Sequence, residues 1–170
     1  LAINRLQRES TNLNHTSISI SLFLLFASVS FSAHSSGLSA EAQAGETLFP
    51  ACFVCHNPEM DPPLGPPMWS VQRVYQRNSI DAADFIQAMV SFVKAPSLDT
   101  AIHKEGVRQL GLMPALPLPD EMLAKIARYI YEEQFQPPCA HWEIALKQAA
   151  QKGDAEHAKK DQRMLDKYCQ

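Results

Sequence analysis

The chain has no run of lysines and arginines. Its 15 basic and 18 acidic residues give a net charge of −3 over 170 residues, which removes the electrostatic footprint of a nucleic-acid-binding protein. Long apolar stretches are also missing. The main hydrophobic segment, about Ile18 to Phe31, is interrupted by serines and is shorter than a membrane-spanning helix requires. No cysteine follows it directly, which removes a bacterial lipoprotein anchor. No Ser/His/Asp set or carboxylate pair stands out, so nothing in the chain points to an enzyme. Cysteine is scarce, at four residues, and only one pair is spaced as CxxC. Cys139 and Cys169 stand far apart and do not supply the second ligand pair of a structural zinc site.

The first 37 residues have the order of an export signal: Arg5 and Arg8, then the apolar segment, then the small-residue stretch Ala33-His34-Ser35-Ser36-Gly37. Cleavage is expected near Ser35 or Ala40, and membrane contact only if the signal stays in place. The expected location is the periplasm of a bacterium, or another exported compartment. In such an oxidising compartment Cys139 and Cys169 form an even pair, read as a disulfide. Two free thiols, or a bond between chains through Cys169, are the alternatives.

The chain does hold one dense cluster. Cys52-Phe53-Val54-Cys55-His56 places two thiols three apart with an imidazole directly after them, the attachment pattern of a c-type haem. One turn of separation lets both sulfurs bond to the two vinyl groups of one porphyrin, and His56 then lies under the iron. A CxxC alone would also fit half a zinc site or a thioredoxin-like redox pair. The reading is one haem c, held through Cys52 and Cys55, with His56 as an iron ligand. In a chain with room for one small domain and an appendage, that cofactor would form a large share of the core.

Leu38 to Ala51 has helical spacing, with Ala40, Ala42, Ala44, Leu48 and Phe49 recurring near intervals of three and four. Gly45 stands seven residues before Cys52 and Phe49 three before it. With these residues the chain resembles the class I cytochrome c family over roughly Ala40 to Phe135. The resemblance implies that the N-terminal helix crosses a C-terminal one, the glycine allowing close approach and the aromatic packing. The receiving stretch would be Ala127 to Tyr131, within a helix starting near Asp120. The resemblance also implies that Gly65-Pro66, in the proline-rich segment from Asn57 to Met68, passes the proximal side of the haem. The Pro66 carbonyl would then accept a hydrogen bond from the other ring nitrogen of His56; an ordinary turn is the alternative. It implies finally that Met113, in Gly111-Leu112-Met113-Pro114-Ala115-Leu116-Pro117, is the distal iron ligand. Prolines keep that segment extended and hold its thioether at low entropic cost. Met60 and Met68 stand too near the proximal loop for this role, Met122 is on a helix, and Met164 is remote.

Trp69, Arg73 and Tyr75 could each donate to a haem propionate or form a packed rim. From Ile80 to Lys94 a helical stripe of Phe85, Ile86, Met89, Val90, Phe92 and Val93 reads as a wall of the haem crevice, with Ser79 or Asp81 as cap and Pro96 as stop; Met89 is packing. Ser97 to Leu110 reads as a short irregular helix. His103 within it is the one histidine placed to rival a methionine for the iron, but Lys104 and Glu105 point to a solvated side chain. Beyond Gln136-Pro137-Pro138, Trp142, Leu146 and Ala149 suggest one helix, Lys152-Gly153-Asp154 a turn, and Ala155 to Tyr168 a second helix. A Cys139–Cys169 bond would clamp this hairpin. His141 and His157 lack the thiol or carboxylate spacing that would complete a metal site.

The expected protein is all-α: a small cytochrome c fold around one covalently bound haem over 38–135, with a C-terminal helical hairpin over 136–170. The hairpin would serve as a flap over the haem domain, a docking surface or an oligomer contact. The expected function is single-electron transfer between redox protein partners, iron being held by His56 and Met113. Two other functions fit the same residues: the haem subunit of a periplasmic oxidoreductase, and a gas-binding haem sensor or catalyst with a labile sixth ligand.

Overall fold

The computed structural model describes residues 37–170, and the segment read as an export signal lies outside them apart from its last residue. Among the described residues there are eight helices and no strand: α1 (Ala40–Leu48), α2 (Pro50–His56), α3 (Met68–Asn78), α4 (Ala82–Lys94), α5 (Lys104–Leu110), α6 (Asp120–Glu132), α7 (Cys139–Lys152) and α8 (Ala155–Tyr168). Among these residues no helix is long and apolar enough to cross a membrane.

α1 starts at Ser39, whose hydroxyl accepts the Ala42 N–H at 3.2 Å and so satisfies one of the donors that a helix start leaves open. The Ser39 N–H and hydroxyl donate to the Glu132 carboxylate at 2.7 and 2.9 Å, tying the start of α1 to the end of α6. The single helix expected over Leu38 to Ala51 is two. Pro50 has no N–H with which to continue the α1 ladder, and it takes the first position of α2, where that donor would be unpaired anyway. α2 then carries the whole Cys52–His56 cluster.

α1 and α6 cross at Gly45. A Cβ there would lie 1.9 Å from the Lys125 carbonyl oxygen and 3.0 Å from Tyr129 Cβ, so the backbones meet where only glycine fits. The contact begins two residues before the Ala127–Tyr131 stretch expected to receive it. Phe49 packs on Tyr129 with ring centroids 5.0 Å apart.

α3 is not among the expected helices. Its buried residues Met68, Val71 and Tyr75 follow helical spacing, but the polar residues between them obscure the stripe. One of these, Gln72, is buried, and its amide donates to the carbonyls of Ile130 and Glu133 at 2.6 and 2.5 Å, pairing acceptors that the end of α6 leaves open. α4 is capped by Asp81, whose carboxylate accepts the Asp84 N–H at 2.9 Å. Phe85, fully enclosed, lies edge-on to Tyr75 and Tyr131 at 5.7 and 5.2 Å. One continuous core thus joins α1, α3, α4 and α6.

α7 and α8 form a hairpin, and Cys139 and Cys169 are joined in a disulfide across 30 residues. The hairpin packs on α3 through aromatic rings: Trp69 meets Trp142 edge-on at 5.4 Å and Tyr168 at 5.0 Å. The Arg73 guanidinium lies over the Trp69 and Tyr168 rings at 4.9 and 5.1 Å, a cation–π geometry. Of the two expectations for Trp69 and Arg73, packing is what the structure shows. Both tryptophans of the chain sit in this contact, so their fluorescence reports hairpin docking. Replacing Cys139 and Cys169 with serine is expected to lower stability by about 3–4 kcal/mol, the loop-closure value for a loop of this length. The urea midpoint of tryptophan fluorescence measures it; a loss under about 1 kcal/mol would mean that ring packing alone holds the hairpin.

Candidate functional site

A cleft of about 220 Å³ lies between α2, α3, α4, α6 and the arm that follows α5. Cys52, Cys55 and His56 line it from α2, and Met113 lines it from the arm. Its floor is apolar, formed by buried side chains such as Val71, Met89, Leu123, Ile126 and Ile130. Among the described residues no aspartate, glutamate, lysine or arginine lines it, so a group bound there would lie in a medium of low polarity. Tyr75 also lines the cleft, and burial pushes its phenol up to about 12. It therefore remains a neutral O–H donor at neutral pH.

His56 sits at the end of α2 and is oriented from the proline-rich loop. Its Nδ1 lies 2.7 Å from the Pro66 carbonyl oxygen. A carbonyl only accepts, so the ring proton is on Nδ1 and the lone pair is on Nε2, the tautomer a metal-binding histidine needs. Gly65 permits the approach, because a Cβ there would lie 3.2 Å from the His56 ring and 3.1 Å from the Cys55 carbonyl oxygen. Burial pushes the His56 pKa below its ordinary value, with the Pro66 hydrogen bond opposing the shift.

Cys52 and Cys55 are unpaired thiols, half-buried and exposed respectively. Burial, and after it the neighbouring Cys55, push the Cys52 pKa up. A thioredoxin-like attacking cysteine has the opposite shift, towards the thiolate. Among the described residues no three His, Cys, Asp or Glu side chains gather for a metal ion, so the zinc reading of the CxxC gains no partner ligands.

His103 is only partly solvated, less than its sequence neighbours lead one to expect. It is half-buried, lines the cleft and caps α5: its Nδ1 accepts the Gly106 N–H at 2.8 Å. Nδ1 is therefore unprotonated, and Nε2–H donates to Ser70 Oγ at 2.9 Å. Both ring nitrogens are engaged, so neither is free for a metal. Lys104 and Glu105, which suggested solvent, are exposed while the preceding ring folds back over its own helix.

The arm from Gly111 to Pro117 forms no helix, strand or turn, in keeping with its two prolines. Its Leu116 N–H donates to the Val93 carbonyl at 3.1 Å, which fastens it to α4. Met113, between that bond and α5, is half-buried. The Ser70–His103 bond and the Gln72 bonds to α6 are the site-supporting contacts that the sequence did not reveal. Each spans more than thirty residues, and no local pattern announces it.

No protein-family model matches the chain, and neither a curated protein nor a solved structure does.

Proposed function

We propose that this is an exported electron carrier of the class I cytochrome c kind, with one haem c bound through Cys52 and Cys55 and its iron held by His56 and Met113. The observation that carries this is the His56 Nδ1–Pro66 hydrogen bond, set beside two unpaired thiols on an apolar cleft that Met113 also lines. That bond fixes the ring orientation and raises the basicity of Nε2. The thiols stand one helical turn apart on α2, as attachment to one porphyrin requires. A haem so bound supplies a one-electron iron couple, and histidine with methionine ligation raises its potential.

The residues of the chain set the conditions for that couple. The apolar walls exclude water and disfavour extra charge on the bound group, and the prolines of the arm limit how far Met113 can move. Nothing is asked of the side chains beyond holding, orienting and insulating, so the partners are a donor and an acceptor protein.

The test is an absorption spectrum of the matured protein, oxidised and reduced, with and without carbon monoxide, beside Met113→Ala. The expected wild type is low-spin, has the weak methionine-to-iron charge-transfer band and binds no carbon monoxide. Met113→Ala should lose the band and bind the gas. High-spin iron that takes up carbon monoxide in the wild type would move the gas-binding reading to first place. Absence of covalent haem would overturn the proposal.

A further inference from the structure

The arm that carries Met113 has few anchors. Among the described residues, backbone hydrogen bonds fix it at Leu116 on α4 and, at its start, through the Gly111 N–H on the Val107 carbonyl at 2.9 Å. The stance of Met113 therefore depends on where α5 sits.

α5 is tied to α3 through one ring, beside a Lys104 Nζ–Leu98 carbonyl bond of 2.6 Å to the preceding loop. His103 caps it through Gly106 N–H at 2.8 Å and, from its other nitrogen, donates to Ser70 on α3 at 2.9 Å. Gly106 lies against the same ring and against the proximal loop. A Cβ there would be 2.7 Å from His103 Nδ1 and 3.3 Å from Pro66 Cγ. Pro66 is also the residue whose carbonyl orients His56. The chain Pro66–Gly106–His103–Ser70 thus links the loop that sets the proximal histidine to the helix that leads to the distal methionine.

We infer that His103 is a positioning residue for Met113, holding α5 against α3 and the proximal loop so that the thioether stays on the cleft. The inference rests on the haem reading above and deepens it. It concerns what places the sixth ligand, not what the ligand is.

The experiment uses the matured holoprotein with His103→Ala, His103→Asn and Ser70→Ala. Three signals are followed: the methionine-to-iron charge-transfer band, carbon monoxide binding by the reduced form, and amide hydrogen exchange across α5. His103→Ala removes both hydrogen bonds and leaves Cys52, Cys55 and His56 in place. It is expected to keep covalent haem, speed α5 exchange about tenfold, weaken the band and admit carbon monoxide. A tenfold change is about 1.4 kcal/mol, within the range for loss of a helix cap. His103→Asn should recover only part of the band, to about the level of Ser70→Ala, because its amide oxygen can stand in for Nδ1 in the Gly106 cap while its shorter side chain does not reach Ser70. Ser70→Ala, which keeps the cap, should weaken the band in the same direction by a smaller factor. If His103→Ala and Ser70→Ala both keep the wild-type band and exclude carbon monoxide, the positioning role falls while the haem reading stands. A wild type that lacks the band overturns both.

Discussion

Gly45→Ala is expected to destabilise the protein by about 3 kcal/mol or more, the upper range for overpacking a close contact. The added Cβ would sit 1.9 Å from the Lys125 carbonyl oxygen and 2.5 Å from its carbon. Those are backbone atoms in the middle of α6, held by the helix ladder, so no side-chain rotation relieves the overlap. Relief requires α1 and α6 to part. That would loosen the Phe49–Tyr129 pair and uncover Ala42 and Ala127, which are 0 and 1 % exposed. It would also pull Ser39 from the Glu132 carboxylate. α1 leads into α2, so displacement reaches Cys52 about two turns on from Gly45 and His56 about three. Gly37→Ala is the control, since a Cβ there meets nothing within 4 Å. Urea unfolding of the two variants measures the difference, and equal, small losses would show that the helices are free to separate.

The elements that the sequence announced are those whose residues act locally. α8 runs over the residues that its turn and helical pattern predicted, and Asp81 caps α4 because the pairing lies within four residues. Cys52, Cys55 and His56 fall on one short helix for the same reason. α3 was hidden because its stripe is narrow and Gln72, a polar residue, occupies an interior position that is satisfied only by carbonyls 58 and 61 residues away. The role of His103 was misread for a related reason. Its neighbours in sequence are exposed, while its partners are Gly106 on its own helix and Ser70 on another. Trp69 and Arg73 were open between two uses because the hairpin that engages them lies some seventy residues downstream. The Pro66 carbonyl lies where the family resemblance suggested; composition and periodicity alone would have left Gly65-Pro66 an ordinary turn.

The double variant Cys52→Ala/Cys55→Ala is expected to have the largest effect of all, and on folding as well as on colour. The thiols themselves contribute little packing, since one is half-buried and the other exposed; their truncation alone is a small loss. What goes with them is the tether of the group proposed to fill the cleft. Val71, Met89, Leu123, Ile126 and Ile130 are all buried residues that line it. Fully wetting one such side chain costs about 1.5–3 kcal/mol, so wetting two or three approaches the whole stability of an ordinary domain, about 5–15 kcal/mol. The expected protein therefore carries no pigment through a denaturing gel and unfolds without a sharp transition. It should keep helical far-ultraviolet dichroism while losing the near-ultraviolet signal of fixed aromatic packing. Each single variant retains one attachment and should fall between. A double variant that melts as cooperatively as the wild type, at the same temperature, would mean that the core is complete without the cofactor. The cleft would then have no claim to hold one.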